Sequence, residues 1–135
     1  MNIVIIGCGS LGRHLVKAFL DLESPPYIVI VDRSQEALKL LPVEFKGFGF
    51  VRDASELSVL EEAKIERADV ALMITNDENL NLMLAQVAKE IYKVPKVIAR
   101  VIDEDKKKSF EFFGITTINP MELAAREMVG YAVKE

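Results

Sequence analysis

Residues 3–12 read Ile-Val-Ile-Ile-Gly-Cys-Gly-Ser-Leu-Gly, and a second apolar run ends on Asp32, about 20 residues past the last glycine. Few sequence patterns restrict a chain more. An apolar run, G-x-G-x-x-G, a helical pattern, a second apolar run and an acid form a strand–loop–helix–strand unit built to bind a dinucleotide. The glycines have separate expected jobs. Gly7 permits the tight turn out of the strand, Gly9 lets a pyrophosphate approach the backbone, and Gly12 lets the helix pack close to the sheet. The helix N-terminus offers unpaired N–H groups and a positive dipole end to phosphates. Asp32 is placed to accept hydrogen bonds from both ribose hydroxyls and to repel a 2′-phosphate.

The rest of the chain is consistent with one such domain spanning 1–135. Half of the 135 residues are hydrophobic and the net charge is −4. Acids and bases are interspersed, so a basic nucleic-acid-binding face is not expected. Cys8 is the single cysteine, which excludes an intramolecular disulfide and fits a reducing cytoplasm. No apolar stretch approaches the roughly 20 residues needed to span a bilayer.

Short β-branched runs alternate with helical patterns. Strands are expected near 2–6, 27–31, 47–51, 70–74, 97–101 and 116–118. The first helix is expected over about 11–22, with Leu11, Leu15, Ala18, Phe19 and Leu22 on one stripe. A short helix follows over about 34–41, capped by Ser34 and stopped by Pro42. Ser55 is expected to open a third helix to about Ala63, although Ser58 leaves its capping box incomplete. Asn76 or Asp77 caps a long helix with Leu80, Leu84, Val87, Ala88 and Ile91 on its stripe. A charged helix over about 104–113 ends at Gly114, and Pro120 suits the first position of a last helix reaching about Val133. The pattern predicts a Rossmann-like α/β fold. It is a doubly wound, six-stranded parallel sheet of order 3-2-1-4-5-6, with the ligand at the carboxyl ends of the strands.

Polar residues gather at those carboxyl ends: Asp32 and Arg33, then Arg52, Asp53 and Ala54, then Thr75 to Asn79, then Arg100 and Asp103. Part of this follows from solubility alone. Arg33 is read as an adenine or phosphate contact, or as a solvated turn residue. Asp53 can accept the adenine amino group, with the Ala54 N–H serving a ring nitrogen. Arg100 lies in an otherwise apolar strand and needs a partner, either a remote phosphate or a crevice acid such as Asp103 or Asp77. His14, the only histidine, is expected to be exposed on the first helix, with no relay partner in sequence. No His/Cys cluster has metal-ligand spacing. Tyr92 and Lys96 form a Y-x-x-x-K pair like that of short-chain dehydrogenases. Pro95 between them breaks the helix that would align the two, so the match is read as chance.

These blocks together resemble the TrkA N-terminal domain, also called KTN or the RCK N-lobe. The resemblance rests on Ile3–Arg13, Val31-Asp32-Arg33, Asp53-Ala54 with Leu60-Glu-Glu-Ala63 and Ala68-Asp69, and Thr75-Asn-Asp-Glu-Asn79 followed by Val97–Arg100. It implies a regulatory ligand sensor rather than an enzyme, binding NAD(H), ATP, ADP or AMP. The implied contacts are Gly7, Gly9, Ser10, Leu11, Gly12, Asp32, Arg33, Asp53, Ala54, Thr75, Asn76 and Arg100. No catalytic or metal-binding residues are implied. The implied setting is cytoplasmic, as a homodimer or higher homo-oligomer on a membrane potassium transporter or channel subunit. The last helix corresponds to the family's crossover helix. Its apolar positions Met121, Leu123, Ala124, Ala125, Met128, Val129 and Ala132 spread wider than one stripe, as expected of a helix packing on both its own domain and a neighbour.

The chain also departs from the family pattern. Arg52 replaces a common glycine and is expected to meet a phosphate or pair with Asp53. Ser10 stands where some ATP-responsive members carry arginine, which weakens the case for a triphosphate. Many relatives continue into an RCK C-lobe, which these 135 residues are not expected to contain. Two other readings remain. One is the NAD-binding domain of a dehydrogenase, which would need a substrate site facing the nicotinamide. The other is a nucleotide-sensing module for another partner.

Overall fold

A computed structural model describes residues 1–134. The strands are β1 (Asn2–Ile6), β2 (Tyr27–Asp32), β3 (Phe48–Val51), β4 (Val70–Met73), β5 (Lys96–Arg100) and β6 (Thr116–Ile118). The helices are α1 (Ser10–Leu20), α2 (Gln35–Lys39), α3 (Ser58–Glu62), α4 (Glu78–Glu90), α5 (Glu104–Phe112) and α6 (Pro120–Val133). The strands form one sheet of order β3-β2-β1-β4-β5-β6, with every neighbouring pair parallel. This is the expected doubly wound order.

The β-branched runs form the centre because a parallel sheet covered on both faces buries both sets of alternating side chains. Ile3, Ile5, Ile28 and Ile30 point to the face where Leu11, Leu15 and Phe19 of α1 and Leu38 of α2 pack. Val4, Ile6, Val29 and Val31 point to the other face, against Val59 and Leu60 of α3 and Leu82, Leu84, Ala85 and Ala88 of α4. Each large apolar side chain sealed this way contributes about 1.5–3 kcal/mol.

Several local expectations shift. The buried line of α1 is Gly12 and Val16, flanked by Leu11, Leu15 and Phe19, whereas Leu22 lies beyond the helix and is exposed. The stripe is therefore rotated towards the residue with no side chain, where helix and loop come closest. Ser55 does not open α3. Its N–H is taken by Asp53 Oδ1 at 2.9 Å, and Glu56 N–H bonds the Asp53 carbonyl at 3.1 Å. That turn delays the helix to Ser58. A short 3-10 turn over Ile65–Arg67, entered through Lys64 at φ +61°, completes the connection to β4. On α4 the buried positions include Asn81, while Ile91 is exposed. Tyr92 lies beyond α4 with its hydroxyl near Glu61, and Lys96 begins β5, so no helix aligns that pair.

The largest difference concerns α6. Asn119 caps it, with Oδ1 accepting from Glu122 N–H, and Pro120 sits in its first turn as expected. No residue of α6 is buried. The expectation that it packs on its own domain as well as on a neighbour therefore fails for its own domain: past the first turn the helix leaves the sheet. The preceding strand, β6, is only three residues long and lies at the edge of the sheet.

Candidate functional site

The sheet order reverses between β1 and β4, so the loops leaving these two strands diverge and open a crevice at their carboxyl ends. Its volume is about 1360 Å³, roomier than the ~300–1,000 Å³ typical of drug-sized ligands. A smaller hollow of about 560 Å³, between Leu20, Pro25, Tyr27 and Phe45, lies at the amino ends of the strands. It lacks the converging charges of the larger one.

The glycine loop forms the floor. Gly7 N–H bonds the Val31 carbonyl at 2.8 Å, tying the loop to β2. Its φ is +120°, and a Cβ there would lie 3.0 Å from the Ile74 carbonyl carbon. A Cβ on Gly12 would lie 2.3 Å from the Gly7 carbonyl oxygen, so the close approach it permits is of helix to loop rather than helix to strand. Nothing lies within 4 Å of a Cβ built on Gly9. That space is open, and it lies beside the first turn of α1, which has no side-chain cap. An anionic phosphate group fits there, against free N–H donors and the positive dipole end.

Asp32 organises the next wall. Its two oxygens accept Cys8 N–H and Ser34 N–H, each at 2.7 Å. An ionised carboxylate has about four acceptor sites, so two remain for ribose hydroxyls. Cys8 is fully buried, with its thiol directed at the Ala37 carbonyl. Burial, reinforced by Asp32 and opposed by Arg13, pushes its pKa up to about 11. The thiol therefore stays protonated and inert, in keeping with a purely spatial role.

At the end of β3, hydrogen bonds from Ser55 hold the Asp53 carboxyl below its ordinary pKa, and the charge of Arg33 adds to this. Arg52 does not pair with Asp53. Its Nε donates to Glu62 at 3.0 Å and its Nη1 to the Val51 carbonyl. Arg100 likewise finds neither expected acid, and its Nη1 donates to Asn76 Oδ1 at 3.2 Å. The reason is local. Asp77 and Asp103 are each held by Oδ1 as caps of α4 and α5.

Asn81 is a residue that sequence reasoning missed. It is the one buried polar side chain among the described residues. Its Oδ1 accepts Thr75 N–H and the Thr75 hydroxyl, and its Nδ2 donates to the carbonyls of Thr75 and Arg100. It therefore fixes the two strand ends that carry the crevice polar groups. Asn79, the last residue of the Thr-Asn-Asp-Glu-Asn element, points elsewhere and accepts from Lys106. The available signal was an amide standing in an apolar stripe one helical turn before Ala85. Glu78 plays a similar part by accepting the N–H groups of Ile102 and Asp103.

The structure brings Gly7, Gly9, Ser10, Leu11, Gly12, Asp32, Arg33, Asp53, Ala54, Thr75, Asn76 and Arg100 onto the lining of this one crevice. It adds His14, Arg52, Asp77 and Glu78, together with Pro120, Met121 and Ala124 from the first turns of α6. Among the described residues no cluster of His, Cys, Asp or Glu has the makings of a metal centre, and no helix is long and apolar enough to cross a membrane.

Comparison with known proteins agrees with this architecture. The chain is similar to the Trk system potassium uptake protein TrkA of Streptomyces coelicolor, with 31% identity over 130 residues, 96% of this chain and 57% of that one. It spans about half the length of the relatives it matches. The TrkA-N domain of the inner membrane protein ybaL from Escherichia coli shares the fold, with a TM-score of 0.81 at 18% identity, covering 96% of this chain and 95% of that one. The GsuK channel bound to NAD superposes with a TM-score of 0.74 at 25% identity, over 94% of this chain and 22% of that one. A sequence profile described as the TrkA-N domain matches residues 3–120, and the chain belongs to the TrkA-N domain family.

Proposed function

We propose that this chain is a regulatory nucleotide sensor: it binds NAD(H) or an adenine mono-, di- or triphosphate in the crevice and thereby controls a membrane potassium transporter or channel. The observation that carries the reading is the pairing of open space over Gly9 with an Asp32 carboxylate that keeps acceptor capacity. Phosphate and ribose subsites lie side by side at the switch point of the sheet. Asp53 and the Ala54 N–H receive adenine, Arg33 flanks them, and Thr75, Asn76 and Arg100 face the distal part of the ligand.

The partner reading draws on the relatives. The similar TrkA protein is named for potassium uptake, and the similar GsuK structure is a channel bound to NAD. The exposed apolar side chains of α6, among them Met121, Leu123, Met128 and Val129, suit pairing with a second copy. Because Met121 and Ala124 also line the crevice, ligand and helix share a boundary. A ligand shifts such a pair between geometries only by binding one of them better.

Thermal unfolding against NAD, NADH, ATP, ADP and AMP tests this. A ligand at about 100 times its Kd stabilises by about 2.7 kcal/mol, a shift of roughly 8–10 °C for a domain of this size. Asp32→Ala should abolish the shift for every ligand. No shift with any of the five would overturn the sensor reading, and turnover of an alcohol or hydroxy acid with NAD would replace it with the enzymatic one.

A further inference from the structure

His14 lies on the crevice wall one turn beyond Ser10, and both residues line the site. Side chains i and i+4 share a helix face and lean towards the helix N-terminus. The imidazole accordingly lies back over the first turn of α1, with Nδ1 donating to the Ser10 carbonyl at 2.7 Å. That bond fixes the proton on Nδ1 and leaves Nε2 without a hydrogen-bond partner among the described residues, on a ring that lines the same crevice as Gly9 and Ser10. We infer that His14 is a ligand-contacting residue whose Nε2 protonates against the phosphates of a bound nucleotide, so that this chain holds its ligand more tightly as pH falls. The inference rests on the nucleotide reading above and adds its regulation by protons.

The charge inventory around the ring supports it. On α1, Arg13 is turned away to the Cys8 carbonyl, and Lys17 lies one turn further on. From the other elements, Asp32, Arg33, Arg52, Asp53, Asp77, Glu78 and Arg100 face the crevice, while the α6 residues lining it carry no charge. The acids are already engaged by backbone N–H groups. Carboxylates as a class titrate well below pH 6 and guanidinium groups well above pH 8, whereas imidazole changes charge between those limits. The amino-terminal dipole of α1 and an imidazolium have the same sign, so their fields add on an anion held between them. A bound phosphate raises the proton affinity of the ring. The gain in ligand affinity is therefore full at low pH and lost as pH rises through the pKa of the complex.

The test is the Kd for NAD and for ADP between pH 6 and pH 8, by calorimetry, in the unaltered chain, His14→Gln and His14→Lys. His14 is exposed, and glutamine keeps a donor for the Ser10 carbonyl, so folding is not at stake. NAD has no group that titrates between pH 6 and pH 8, and for ADP the ratio of variant to unaltered Kd at each pH cancels the ligand's own titration. The unaltered chain should weaken about 5- to 10-fold from pH 6 to pH 8, the size of one charge-assisted contact. His14→Gln should be weak and flat, and His14→Lys tight and flat. A flat profile in the unaltered chain, or the same slope in His14→Gln, would overturn the inference while leaving nucleotide binding intact. Absence of binding to either ligand at every pH would remove both.

Discussion

Residues 28–31 of β2 and residues 121–133 of α6 are both rich in apolar side chains, yet they end in opposite environments. Ile28, Val29, Ile30 and Val31 are all buried. In α6, Met128 is 70% exposed and Val133 72% exposed. The strand lies second from one edge of the sheet, with strands on both sides and helices on both faces. The helix follows the last strand, which has a single neighbour. Burial is thus set by what the topology stacks against a segment and not by its hydrophobicity. The sealed strands hold the domain together. The exposed helix adds little to the fold; under the proposed function it is the surface that meets a second copy, and its first turns line the crevice.

Substitution should separate the two regions cleanly. Leu84→Ala removes a fully buried side chain from the core and should cost about 2–5 kcal/mol, read from urea unfolding. Leu123→Ala in α6, at 51% exposure, should stay within about 0.5 kcal/mol at dilutions where the chain is monomeric. A large loss at Leu123 in dilute monomer would mean that α6 packs on its own domain after all.

The polar seam between core and crevice comes next in size. Asn81→Leu strands the Thr75 N–H and the carbonyls of Thr75 and Arg100, and should cost about 2–3 kcal/mol. It should also weaken ligand binding by misplacing Thr75 and Arg100. Stability loss without any change in affinity would limit Asn81 to a packing role.

The raised Cys8 pKa gives a smaller, pH-bounded effect. The folded chain keeps the thiol protonated to about pH 11, against 9.0 for the free group. Its contribution is therefore complete below pH 9 and lost as pH rises from 9 towards 11. Cys8→Ala should flatten that part of the stability profile relative to the unaltered chain. Alkylation of Cys8 at pH 8 should be slow when the chain is folded and fast in denaturant. Rapid labelling of the folded chain would contradict the burial described here.

Least costly to the fold is Met128→Glu on the exposed face of α6. It should leave the unfolding midpoint of the monomer unchanged. In light scattering it should move the mass towards that of a single chain. An unchanged oligomer would place the self-association surface elsewhere.

The sequence alone determined the strands and their parallel doubly wound order, because β-branched runs and glycines are local signals with fixed spacings. The resemblance to the TrkA-N family pointed to the twelve residues that line one crevice. The sequence did not reveal the partners of Arg52 and Arg100. Glu62 comes from a neighbouring helix, and the two acids expected beside Arg100, Asp77 and Asp103, cap helices instead. Nor did it single out Asn81, which differs from a surface amide only in what the fold places around it: a threonine loop and the end of β5. Tertiary structure decided these pairings because hydrogen bonds and ion pairs act over a few ångströms. Which groups come that close is set by how the helices dock on the sheet. The exposure of α6 was decided in the same way, by the absence of any packed layer against a helix whose sequence could equally have been buried.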